Sequence, residues 1–164
     1  MEIIYDVLVV WLMSSVALGV GASSLAITSF LTALYDGEVD VSERRMLKVI
    51  YWALRWSMVM IAVVLAVLQW WWPNTLIGES YLWVLIVILY VNAMLMTEHL
   101  IPVSLGPALQ AATWYTLGFM ITIELFNLAP LTLTLFGVLY LADVVFFVVL
   151  VNVGLWWLRK KNVQ

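Results

Sequence analysis

The chain has no cysteine, a single histidine and, in 164 residues, only seven basic and ten acidic side chains. Without cysteine there are no disulfides, thiolate metal sites, iron–sulfur clusters or thioether-attached haem. One histidine rules out a bis-histidine haem within one copy of the chain. A formal net charge of −3 excludes the basic footprint of a nucleic-acid binder. A charged fraction of 10% is far below the roughly one quarter usual in soluble domains.

Apolar residues fill the space that these absences leave. Hydrophobic residues make up 66% of the chain, and its mean hydropathy is +1.09. Such a composition belongs in a bilayer, and the apolar runs leave no room for a separate soluble domain, so residues 1–164 read as one membrane domain. Five runs are long enough for the roughly 20 residues that a crossing needs. They cover about 3–35, 47–72, 81–97, 107–127 and 131–158, which predicts an all-α, polytopic transmembrane helical bundle of five spans. The N-terminus, MEIIYDVLVVWL, lacks a positive leader and a small-residue cleavage site and reads as the outer end of a retained span.

The one stretch suited to water is DGEVDVSERRMLK, residues 36–48. Arg44, Arg45 and Lys48 at its end, and Arg159, Lys160 and Lys161 after the fifth run, carry most of the positive charge. By the positive-inside rule both clusters mark the cytoplasmic face, which places the N-terminus outside and the C-terminus inside a bacterial-type cytoplasmic membrane. Tryptophans 70–72 and Trp156 with Trp157 suit interfacial belts. Asp36 and Gly37 end the first helix, and Asp40 with Glu43 reads as a capping box for the second. The same residues mimic half of a calcium loop, but an earlier ligand position falls on Leu34, which has no donor atom. A capped turn is the better reading.

Within the first span, SSVALGVGASSLAITS places Ser15, Gly19 and Ser23 four apart, flanked by Ala22 and Ala26. Small residues at that spacing let another helix approach closely, and a packing face outweighs a pore or cofactor lining. Gly19-Val20-Gly21 lacks the third glycine and preceding strand of a dinucleotide site.

Ionisable groups inside spans are expensive and face the bundle interior. Arg55, Asp143 and, less deep, Glu124 are the candidates. Asp143 lies near the centre of the fifth span, with Tyr140, Phe147 and Gly154 on its face, where desolvation disfavours a carboxylate unless a cation or donors hold it. Arg55, the one deep cation, is its expected partner in a structural pair, with Glu98 the other acidic candidate. Asn92, Met96 and His99 form a polar stripe on the third span. His99 at a helix end reads as hydrogen-bonded or solvated, although His99 with Met96 or a methionine of the second span would make an axial pair for haem. Glu124 reads as an interfacial carboxylate.

GASSLAITSFLTALYDGEVDVSERRMLKVIYWALRWSM and VNAMLMTEHLIPVSLGP resemble segments of uncharacterised bacterial small polytopic integral membrane proteins. Those proteins have a Gly/Ala/Ser-rich first span, an acidic Asp-Gly turn and a third span ending in Asn, His and Pro. The resemblance implies the helical layout and no activity. Some of those relatives are similar to copper-resistance or haem-associated proteins, whose additional histidines are missing here. The leading functional expectation is a non-catalytic membrane subunit or scaffold, packing on a second copy or a membrane partner through the small-residue face of span one. Its rivals are a small transporter or proton-coupled conductor using Asp143 and Arg55, with Asn92 and His99 at the inner exit, and a haem- or quinone-binding redox protein near His99.

Overall fold

In hydrocarbon every backbone N–H and C=O must be satisfied within its own segment or a closed sheet, so long apolar runs fold as helices. The computed structural model describes residues 2–36, 41–73, 79–98, 100–102, 105–130 and 132–161, except for the side chains of residues 2, 33–36, 43, 79, 158, 159 and 161. The described residues contain five helices and no strand: α1 (Glu2–Asp36), α2 (Val41–Trp71), α3 (Glu79–Thr97), α4 (Leu105–Leu125) and α5 (Leu133–Lys161). Stretches within α1, α2, α3 and α5 are long and apolar enough to cross a membrane. Helix α4, at 21 residues about 31 Å long, is not among these four.

Helix α2 begins six residues before the expected start of the span at 47. Glutamate, arginine and lysine are good helix formers, so the helix continues past the apolar run and carries Arg44, Arg45 and Lys48 on its exposed surface. Residues 37–40, which include Gly37 and Asp40 of the expected capped turn, lie outside the described residues, as does the Glu43 side chain.

The connection from α4 to α5 is built from local hydrogen bonds. Asn127 has φ of 48°, a left-handed conformation that asparagine tolerates better than most side chains. Its N–H donates to the Glu124 carbonyl at 3.2 Å, and the Leu128 N–H reaches the Ile123 carbonyl at 3.0 Å. This pair of bonds is the Schellman closure of a helix C-terminus. Thr132 then caps α5, its Oγ1 accepting the Leu135 N–H at 3.1 Å.

Contacts between named residues fix the relative directions of the helices. Tyr5 meets Trp72 edge-on, so the start of α1 lies beside the end of α2. Tyr81 stacks on Phe136, which joins the starts of α3 and α5. Leu31 packs against Gly154 near the other end, and Met96 packs against Gly106 where α3 meets α4. Sequential helices therefore alternate in direction. The starts of α2 and α4 and the ends of α1, α3 and α5 gather at one end of the bundle, which brings the α2 basic cluster and Lys160 to the same end.

Helix α4 is the centre of this arrangement, packing on α1, α3 and α5. Twelve of its 21 residues are buried. Trp114 and Leu117 join Leu12, Leu54, Ile61, Leu68 and Leu85 in the main core, while Ala108, Ala111 and Ala112 pack with Ile27, Phe147 and Val151 in a second cluster.

Candidate intramembrane polar site

Along α4, Gln110, Thr113 and Thr116 recur every three residues, and all three are buried. Their neighbours are the polar groups of α3 and α5. Thr116 Oγ1 donates to Asp143 Oδ2 at 2.7 Å. Thr113 Oγ1 donates to the Leu109 carbonyl. It also lies 3.5 Å from Asn92 Nδ2 and 3.5 Å from the Tyr140 hydroxyl, at the long edge of hydrogen bonding. The result is a polar seam across three helices, with the carboxyl of Asp143 held by a hydroxyl donor.

The expected pair of Arg55 and Asp143 is not brought together. Helix α2 packs on α1 and α3, and α5 packs on α1 and α4, so the two helices share no substantial face. The donor that Asp143 meets is Thr116. Arg55 instead lines a cleft of about 450 Å³ between α2, α3 and α4, together with Lys48, Tyr51, Met58, Met96, Thr97 and Gln110. Glu98 is exposed just past the end of α3.

The small residues singled out on the first span as a face for a second copy or a membrane partner are enclosed within the chain. Ser15, Gly19, Ala22, Ser23 and Ala26 are all buried. A side chain at Gly19 would collide with the Trp114 ring. At Gly19 this face is covered by α4 and cannot also receive a partner. The first span is rich in small residues all round, however. Ser14, Ala17, Gly21 and Thr28 face outward on the other side of the helix and are exposed. Apart from its chain neighbours and the backbone of its own helix, no atom of the described residues lies within 4 Å of where a Gly21 side chain would begin. The hydroxyls on this side are satisfied without a partner: Ser14 donates to the Val10 carbonyl and Thr28 to the Ser24 carbonyl.

Met96 is half-buried on the cleft and against Gly106, with Asn92 one turn away on the seam. His99 lies outside the described residues, as do the side chains of Arg159 and Lys161. Lys160 sits over the Trp156 ring at 5.5 Å. Glu124 is half-buried in the last turn of α4. Among the described residues no three histidine or carboxylate groups cluster as metal ligands.

Two participants escaped the sequence reading. Thr116 was visible only as the third member of the polar set spaced by three on α4. Trp114 carries nothing in the sequence that sets it apart from the other tryptophans, yet it is fully buried and its Nε1 has no hydrogen-bond partner. No known protein family, curated protein or solved structure matches this chain.

Proposed function

We propose that the chain is a five-span protein of a bacterial cytoplasmic membrane, with its N-terminus outside and its C-terminus inside. In this reading it serves as a non-catalytic subunit or scaffold that associates with a second copy, or with a partner helix, through the outward small-residue face of α1. The basic residues gathered at one end of the bundle support the orientation. Burial of α4 by three neighbours supports counting it as a fifth span, because a helix shielded from lipid does not need a fully apolar surface. The association rests on one observation: Ala17 and Gly21, one turn apart, are exposed, with open space over Gly21. In lipid such a small-xxx-small surface permits close backbone approach.

Because the chain has no cysteine, a single introduced thiol reports on this directly. Ala17→Cys is expected to give an oxidised dimer in membranes, and Leu141→Cys on the lipid-facing side of α5 is not. Gly21→Leu should lower the mass of the assembly seen by native electrophoresis. A monomeric species unaffected by Gly21→Leu, with no Ala17→Cys cross-link, would remove the proposal. If the association is with a different protein, the Ala17→Cys product will have a mass unequal to twice 18.7 kDa.

The hydrogen bond from Thr116 to Asp143 favours a second reading, a small proton-coupled conductor in which Asp143 takes up and releases the proton. Arg55 has no part in this version, since it lies on the cleft away from Asp143. Proteoliposome proton flux should fall at least about tenfold in Asp143→Asn if that group is an obligatory relay. Flux equal to wild type rejects the relay while leaving the scaffold reading untouched.

A further inference from the structure

The cleft between α2, α3 and α4 combines features that a helix-packing gap does not need. Lys48 and Arg55 both line it, both are exposed, and among the described residues its lining contains no carboxylate. Gln110 lines it as well; its side chain is only 7% exposed, and its Oε1 has no hydrogen-bond partner. Leu54, Met58 and Met96 supply apolar walls. A buried amide oxygen without a donor is costly, and a guanidinium near hydrocarbon needs an anion or a route to water.

Depth along α2 indicates what sort of molecule would meet these groups. Taking Trp71 at one interface, a hydrocarbon core of about 30 Å ends about 20 residues earlier, near Tyr51. Lys48 then lies about 4–5 Å outside that edge and Arg55 about 6 Å inside it. The two cations bracket the level at which lipid phosphates and glycerol groups sit.

We propose that this cleft is a binding site for an anionic membrane lipid from the leaflet at the basic end of the bundle. Lys48 and Arg55 hold its phosphate, and a headgroup hydroxyl donates to Gln110. The apolar walls take the first part of an acyl chain. Charge selects an anionic over a zwitterionic lipid, and the unpartnered amide oxygen selects a headgroup with a hydroxyl to donate. The site does not depend on how α1 associates or on whether Asp143 carries protons.

The test is native mass spectrometry of the full chain released from mixed micelles containing phosphatidylglycerol or phosphatidylcholine, and from micelles with inorganic phosphate alone. Wild type should retain phosphatidylglycerol over phosphatidylcholine. The K48Q/R55Q variant should weaken that retention on the order of tenfold or more, the effect of losing two juxtamembrane cations. Both side chains are exposed, so the variant should keep its helical circular dichroism and elution volume. Gln110→Leu should weaken retention severalfold; if it fails to fold, K48Q/R55Q decides alone. Equal retention of the two lipids, or unchanged retention in K48Q/R55Q, would overturn the proposal. Saturable binding of inorganic phosphate that displaces the lipid would overturn it in favour of a soluble anion.

Discussion

Helices α4 and α5 are joined by a short turn and pack on each other, yet they solve opposite problems. Most of the α5 span faces outward, with only 11% of it buried, and its large exposed residues are leucine, valine, phenylalanine and tryptophan, with Thr134 and Asn152 the polar exceptions. Helix α4 is buried along most of its length and carries glutamine, three threonines, tryptophan and tyrosine. A helix in lipid must be apolar outside because nothing else solvates its surface. A helix enclosed by others can bear polar groups where its neighbours supply partners, as Asn92, Tyr140 and Asp143 do for Thr113 and Thr116, although Gln110 Oε1 and Trp114 Nε1 find none. The difference between the two helices therefore records position in the bundle, and the lower apolarity of α4 is a sign of centrality.

The sharpest way to break this comparison is to remove a large side chain from each helix. Trp114 is fully buried over Gly19, whereas Leu141 of α5 is 64% exposed. Trp114→Ala is expected to cost about 3–5 kcal/mol, mainly in lost packing around an unfilled space. Leu141→Ala should change stability by less than about 0.5 kcal/mol. Unfolding titrations with a denaturing detergent in mixed micelles measure both. Equal effects would mean that α4 is not the enclosed helix and that the contrast in composition has another origin.

A smaller effect probes the seam between the two helices. Thr116→Val keeps the shape of the side chain but removes the hydroxyl donor from Asp143, at an expected cost of about 1–3 kcal/mol for a part-buried carboxyl left without its partner. Asp143→Asn retains an oxygen acceptor and should cost less. In a double-mutant cycle the two changes should couple, because each acts through the same contact. Strict additivity would show that the bond contributes nothing to holding α5 on α4.

The existence of the helices was legible because an apolar run longer than a bilayer has few other ways to satisfy its backbone. The ranges expected for the first, third and fifth runs lie within a few residues of α1, α3 and α5. Which faces meet was much less legible. On α1, Ser15, Gly19 and Ser23 and, on the far side, Ala17 and Gly21 are equally small. The choice between the faces was made by Trp114, about 95 residues along the chain, whose ring needs a position without a side chain. The pairing of Arg55 with Asp143 failed for a related reason. Charge complementarity identifies possible partners, but helix neighbourhood decides which can touch, and α2 and α5 are not substantial neighbours. The polar set at 110, 113 and 116 was present in the sequence as a spacing, but its role depended on which helices would surround α4.

The turn between α4 and α5 offers the smallest test, since it fixes the exit of the enclosed helix and the entry of the lipid-facing one. Asn127 is held at φ of 48° with its N–H bonded to Glu124. Glycine has no side-chain penalty in that conformation, so Asn127→Gly should leave stability within a few tenths of a kcal/mol. Asn127→Ala loses the asparagine's tolerance of the left-handed region and should cost about 1 kcal/mol. Asn127→Val, branched at Cβ, should cost more. The order Gly, Ala, Val is the informative result, because it depends on backbone geometry and not on polarity at an exposed position. If alanine and valine match asparagine, the left-handed residue does not terminate α4. The alignment of the seam would then rest on the side-chain contacts of Thr113 and Thr116 without help from the turn.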